Sequence, residues 1–278
     1  GRLNSRTESN GCGPYWTRMP RLDTTTQFIT VIIICLTLLS IVQGALVARR
    51  RKDAFPLRPI SAYESIPYMI GTAIEAGRPV HVSLANTGLG GSTTLLTLTN
   101  AEMFYQTALR AEASILTASD PLVLPLSYVM LQRVYARRDR SERFSGRYLR
   151  WYPSTTQPLA FASALTVTLD AEQVSGSILL GNFGSELALV LDAANRRKQG
   201  SIASSIDLQG QAVAYALAGT TLIGEEMFVA GAYLGDNNAQ RGAVVALDTL
   251  RWFLIGGIVL YTFVSLYEPV RTALLGGG

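Results

Sequence analysis

The sequence predicts an α/β fold, a parallel-sheet domain held between two transmembrane helices. Three observations lead there. The chain is apolar and poor in charge, with 48% hydrophobic and 16% charged residues over 278 positions, where soluble domains carry nearer about 25% charged. Two long apolar runs lie toward its two ends. Between them, short β-branched stretches alternate with helix-length stretches, the pattern of a parallel sheet with crossover helices.

The first apolar run has no charged residue from Thr24 to Ala48, and its core, FITVIIICLTLLSIVQGALVA, is apolar on every face. At about 1.5 Å per residue, roughly 20 such residues cross a hydrocarbon layer of about 30 Å. A water-facing helix of this length would need a polar stripe. A cleaved signal peptide fits less well. The run is longer than a usual apolar signal core, more than twenty residues precede it, and RRRK follows at once. A lipoprotein anchor fits less well still, because Ile34 before Cys35 is not small.

The second run is WFLIGGIVLYTFVSLY, Trp252 to Tyr267, fenced by Arg251 and Glu268. Trp252 and Tyr267 suit the two membrane interfaces. The upstream GAVVAL lengthens the segment, so the span is placed at 241–268. Gly256 and Gly257 are expected to allow close helix packing. The competing reading is a buried C-terminal core helix. Arg49, Arg50, Arg51, Lys52 and Arg58 follow the first span, and Arg18 and Arg21 closely precede it, so both sides are basic but the C-terminal side more so. This excess places the middle region in the cytoplasm. The expectation is a two-pass protein of the cell's inner membrane with both termini outside. Its parts are a polar tail (1–23), a first span (24–48), a basic, Pro-rich linker (49–78), a cytoplasmic domain (79–240), the second span and a C-terminal tail (269–278).

Within the domain, RPVHVSLA reads as a buried strand. The helical STTLLTLTNAEMFYQTALRAE follows, with Ser92 or Thr93 expected to cap it. ASILTAS is a short strand, and LVLPLSYVMLQRVYARR a helix. The pattern then returns. VSGSILLGNFG is strand and turn, SELALVLDAANRRKQ a helix closed by Gly200, SIASSID a strand, and QGQAVAYALAG a helix. Two βαβ-like halves align by features. Asn86-Thr87-Gly88 matches Asn182-Phe183-Gly184, and Asp120 matches Asp207 at the same distance from a Ser-Ile pair. These turns and acids fall at the carboxyl ends of strands, the edge where open parallel sheets bind ligands.

The turn from Asn86 to Thr94 is the candidate ligand site. A helix start offers free N–H groups and partial positive charge. Gly88, Gly90 and Gly91 allow close backbone approach, and Ser92, Thr93 and Thr94 add hydroxyls. Asp120 occupies the place of a ribose-binding acid. The full G-x-G-x-x-G fingerprint fails at Thr93, and a Walker lysine is absent. A tight turn with a capped helix explains the same residues. Asn182, Gly184 and Asp207 are the second-half equivalents.

No catalytic set emerges. His81 is the only histidine and sits mid-strand, where a structural role is expected; no G-x-S-x-G is present; and Glu225 and Glu226 make a poor catalytic pair. Two cysteines and one histidine define no metal site. The segment from Arg133 to Pro153 carries seven arginines against Asp139 and Glu142, with aromatic residues interleaved. Beside a membrane this favours contact with anionic lipid over nucleic acid, through Arg137, Arg138, Arg147 and Arg150 together with Arg49, Arg50, Arg51 and Lys52. The alternative is an internally paired helix end.

The stretch SIPYMIGTAIEAGRPVHVSLANTGLGGSTTLLTL resembles an uncharacterised family of bacterial membrane-anchored proteins, a domain of unknown function. FGSELALVLDAA, LQGQAVAYALA and LIGEEMFVAGAYLG are similar to its later blocks, so the resemblance covers roughly residues 60–240. It implies a Rossmann-like domain beside membrane helices, and brings no catalytic residues with it. The functional expectation is an accessory, scaffold or sensing subunit of a membrane assembly, partnered by the bilayer and by other subunits or itself. The alternative is an enzyme or sensor that binds a nucleotide or another anion at the Gly-rich turn. Transport is disfavoured, because two spans without interior charge offer no pathway.

Overall fold

The computed structural model describes residues 24–50, 57–153, 157–235 and 238–275. The chain divides into two compact units. One is helical in its described residues, 24–43 and 249–275, and the other is the α/β unit Gly44–Asp248.

The helical unit holds most of α1 (Thr24–Arg50) and the distal part of α9 (Asn238–Leu275). Among the described residues, one helical stretch is long and apolar enough to cross a membrane. It is Ala239–Phe263 in α9, 25 residues with mean hydropathy 1.8. The apolar stretch described in α1, Thr30–Gly44, is shorter. At Gly256 and Gly257, expected to allow close packing, a Cβ would meet no atom of the described residues within 4 Å. Close approach occurs elsewhere, in the α/β unit, where a Cβ at Gly44 would fall 2.5 Å from the carbonyl oxygen of Gly242 and 2.9 Å from the Cβ of Ala246.

The α/β unit is built on a six-stranded sheet in the order β3-β2-β1-β4-β5-β6, every pair parallel. The strands are β1 (Val80–Ala85), β2 (Ser114–Ala118), β3 (Leu149–Trp151), β4 (Gly176–Gly181), β5 (Gly200–Ser205) and β6 (Thr220–Thr221). The order reverses between β1 and β4, which lie side by side with Val80 opposite Gly176. The middle strands are buried throughout, as strands covered on both faces must be.

Period-two alternation sorts their side chains onto two cores. Val80, Val82, Leu84, Leu116, Ile178, Leu180 and Ile202 pack with α2 (Ser61–Ala76), α3 (Thr94–Arg110), α4 (Val123–Arg137) and α8 (Ala230–Leu234). Ile115, Leu179 and Ala203 pack with α5 (Pro158–Ala171), α6 (Leu187–Arg196) and α7 (Leu208–Leu217).

Four expectations need correction. The segment 49–78 is not all linker, since α2 lies within it. Its buried Tyr63, Ile66, Met69, Ile70 and Ala73 follow helical spacing, and left-handed Gly77 closes it. Pro67, the feature that argued for a linker, is tolerated inside the helix because tertiary burial outweighs one missing N–H. The basic segment between the two halves, which the sequence reads as a linker, is likewise more than that, because its end forms β3 at the sheet edge. Gly200 does not cap α6; it opens β5, and the turn is made by Arg197 and left-handed Lys198, φ 56°. Thr93 has helical dihedrals and makes no side-chain cap to α3.

Candidate functional site

The carboxyl ends of β1 and β2 converge on the Gly-rich turn. The strands are tied at their ends by Ser119, whose Oγ accepts the N–H of Asn86 at 2.8 Å. Asn86 itself is left-handed, φ 47°, and turns the chain away from the sheet. Hydroxyls then hold the turn against α3. Gly88 N–H donates to Thr93 Oγ1 at 3.3 Å, and Thr97 Oγ1 donates to the carbonyl of Gly88 at 3.0 Å. Thr94 Oγ1 donates to the carbonyl of Gly91 at 3.0 Å. Thr93 thus braces the loop rather than the helix start. Gly91 needs its glycine, with φ 106°, and a Cβ at Gly90 or Gly91 would meet nothing within 4 Å. Ser92 is exposed beside them.

Asp120 reaches the same turn from β2. One carboxylate oxygen accepts the N–H of Leu122 at 2.9 Å, and the other lies where a Cβ of Gly88 would be, 2.2 Å from it. The acid therefore anchors the approach to α4 and packs on the glycine in one placement. Thr87 adds a buried hydroxyl with no hydrogen-bond partner among the described residues.

The second half repeats the arrangement with one change. Ser205 takes the tying role, its Oγ accepting the N–H groups of Phe183 at 3.0 Å and Asp207 at 3.1 Å. Asp207 Oδ2 would lie 3.7 Å from a Cβ at Gly184. Here the turn holds an acid of its own: Glu186 Oε1 accepts the N–H of Gly184 at 2.8 Å. The position of Glu186, two residues after Gly184, is taken in the first half by Gly90. Asn182 is half-buried beside Ala85, whose carbonyl accepts its N–H at 2.9 Å. The structure thus brings Asn86, Gly88, Thr93 and Asp120 together at one edge, and Asn182, Gly184 and Asp207 at the adjoining part of that edge. Ser119, Ser205 and Glu186 are missed by the sequence reading. A serine aligned with a strand end is no signal by itself, and Glu186 reads as an ordinary helix-start acid.

The arginines expected at a membrane surface are engaged within the protein. Arg137 donates to Tyr105 Oη at 3.2 Å. Arg138 donates to the carbonyls of Ala111 and Leu109 at the end of α3. Arg150 pairs with Glu172, and Arg147 lies over the Tyr148 ring at 5.2 Å. Arg51 and Lys52 lie outside the described residues, as do the side chains of Arg49 and Arg50. Glu226 is structural, accepting the Ile223 N–H and pairing with Arg58.

His81 is fully buried in β1 with Nε2 2.9 Å from Thr117 Oγ1. Burial, and then the charge of Arg150, push its pKa down to about 3, so the ring is neutral near pH 7. Among the described residues no three His, Cys, Asp or Glu side chains could hold a metal ion.

A family model described as Domain of unknown function (DUF6754) matches residues 17–273. The chain belongs to that family. The match covers the α/β unit and the helices at both ends of it, so the family's unit includes the apolar segments. No curated protein and no solved structure matches the chain.

Proposed function

We propose that this DUF6754 member is a membrane-anchored accessory, scaffold or sensing subunit, whose Rossmann-like unit lies in the cytoplasm between two spans. The observation that carries this reading is the 25-residue apolar stretch Ala239–Phe263, of which only 6% of the most apolar window is buried in the protein. A core helix of a soluble protein would be covered. The charge-free run Thr24–Ala48, on the 27-residue helix α1, supplies the second span. Alkaline carbonate extraction of membranes from expressing cells tests the anchor: the chain stays with the lipid pellet, and its release into the supernatant defeats the reading. An impermeant thiol reagent on intact cells labels Cys12 if the N-terminus is outside. A subunit role requires co-purification with partner chains or with itself, and a solubilised monomer at all concentrations argues against it.

A second reading is favoured by one observation, the seating of Asp120, after β2, against Gly88, after β1, beside the point where strand order reverses. This is the place and the residue type with which doubly wound sheets hold a nucleotide ribose. A bound nucleotide raises the thermal midpoint of the purified chain. Gly90→Phe abolishes that rise while leaving the midpoint of the ligand-free chain unchanged. Absence of any shift across purine and pyrimidine nucleotides removes this reading.

A further inference from the structure

The amino edge of the sheet carries an open hollow that neither reading uses. It lies within the α/β unit, has a volume of about 420 Å³, and is lined by Ile74, Arg110, Glu112, Arg138 and Arg140. The topology gathers these residues. Crossover helices of a parallel sheet end where the next strand begins. Arg110 is the last residue of α3, Glu112 stands in the short link to β2, and Arg138 and Arg140 follow α4. Ile74 is in the last turn of α2, just before β1.

Two of the arginines are fixed by backbone and not by acids. Arg138 donates to the carbonyls of Leu109 and Ala111, and Arg110 to those of Gln106 and Leu234. Carbonyls orient a guanidinium without cancelling its charge. Among the described residues, none of the three arginines is ion-paired with a carboxylate, and the Arg140 side chain makes no hydrogen bond. Burial, and then the charge of Arg140, hold the Arg138 guanidinium below its usual range, so the cations act on one another. Glu112 is the acid that lines the hollow, and it is exposed. Glu75, Arg78 and Asp139 stand near in sequence but do not line it, and Arg137 is turned to Tyr105 Oη. Three guanidinium groups against one carboxylate leave an excess of two positive charges.

We infer that this hollow binds a phosphate monoester. Such a group carries a charge of about −1.5 to −2 at pH 7, which matches the excess. Guanidinium forks meet phosphate oxygens with paired N–H donors. The hollow is larger than a bare phosphate needs and falls within the range of small-molecule sites, roughly 300–1,000 Å³. Ile74, 46% exposed, supplies an apolar wall for the esterified group. The inference rests on neither reading above, because the site is at the opposite sheet edge from the Gly-rich turn and requires no membrane.

The test is calorimetric titration of the detergent-solubilised full chain with phenyl phosphate, against sodium chloride at matched ionic strength. Phenyl phosphate is expected to bind, and chloride to give no saturable heat. Arg140→Gln should weaken binding by about tenfold or more, the loss of a charged hydrogen-bond donor. Because Arg140 is exposed and its side chain unbonded among the described residues, the thermal midpoint of the ligand-free chain should not move. Glu112→Gln should tighten binding by about threefold, since the opposing charge is gone. A purely structural role for these residues would not produce effects of opposite sign. Gly90→Phe should leave the affinity as it is. Absence of saturable binding overturns the inference, as does equal affinity in wild type and Arg140→Gln. Weaker or unchanged binding by Glu112→Gln also overturns it. Binding lost in Gly90→Phe and kept in Arg140→Gln assigns the anion to the Gly-rich turn and overturns it too.

Discussion

Gly88 and Asp120 occupy one space: a Cβ at Gly88 would fall 2.2 Å from Asp120 Oδ2. The contact joins the β1 turn to the approach to α4, because Asp120 Oδ1 also holds the N–H of Leu122. Gly88→Ala is therefore expected to displace the carboxylate and cost about 1–2 kcal/mol, the loss of a helix-start hydrogen bond with some overpacking. Asp120→Ala alone loses the hydrogen bond, at about 1 kcal/mol. The double variant should be less destabilised than the sum of the two, since the clash disappears with the acid. Denaturant unfolding of the detergent-solubilised chain reads all three. Strict additivity would mean that the two residues do not share this space.

Gly210 makes a stricter demand in the second half. A Cβ there would sit 1.9 Å from the carbonyl oxygen of Phe183 and 2.8 Å from Ser205 Oγ. The first of these is backbone and cannot rotate away, so α7 must shift from the end of β4. Gly210→Ala is expected to destabilise by about 3 kcal/mol, toward the upper end for overpacked sites. Gly90→Ala, with nothing within 4 Å of its Cβ, should stay within about 0.5 kcal/mol of wild type. A comparable loss at both positions would contradict the placement of α7.

Strong periodicity made most of the α/β unit legible. VHVSLA, ASILTAS and SILLG are short charge-free runs rich in apolar residues between turn residues, and each holds a buried strand. The paired turns were legible too, because Asn-x-Gly and Asp recur at matched spacing. Composition misled in two places. Pro67 and the nearby arginines hid α2, and seven arginines hid β3, a three-residue edge strand with little room for alternation. Caps were the least legible. Thr93 and Gly200 are residues suited to helix ends, but tertiary hydrogen bonds and strand pairing claim them instead. The roles of Ser119 and Glu186 depend on contacts across strands or turns, which no local pattern reports.

His81 makes stability depend on pH in a defined window. The unfolded chain takes up a proton near the ordinary value of 6.5, and the folded chain only near about 3. Between these values the unfolded state binds more protons, so stability falls as pH drops. Above pH 6.5 the group contributes no such dependence. Replacing it, as in His81→Gln, should flatten the profile in that window by at most about 1.4 kcal/mol per pH unit relative to wild type. Carboxylates titrating over the same range cancel in the difference between the two chains. Parallel profiles down to pH 4 would show that the ring is protonated in the fold. Arg150→Gln should move the lower limit of the window upward, because its charge is the second cause of the shift.

The approach of Gly44 to Gly242 and Ala246 sets where α1 meets α9 within the α/β unit. Two backbones come close enough there that a Cβ at Gly44 would lie 2.5 Å from the Gly242 carbonyl oxygen. Small residues at such crossings allow the packing that holds helices together. Gly44→Val should force the pair apart, lowering the thermal midpoint of the solubilised chain and opening the crossing to protease. Ala246→Gly leaves the crossing intact and relieves part of the clash, since Ala246 Cβ is the second atom the new side chain would meet, at 2.9 Å. The pair Gly44→Ala with Ala246→Gly should therefore recover part of the midpoint that Gly44→Ala loses. Gly256→Val, in open space on the distal part of α9, should leave the midpoint unchanged. The contrast between Gly44 and Gly256 separates a crossing built by the fold from a glycine that merely sits in an apolar run. An unchanged midpoint for Gly44→Val would refute the crossing at Gly44.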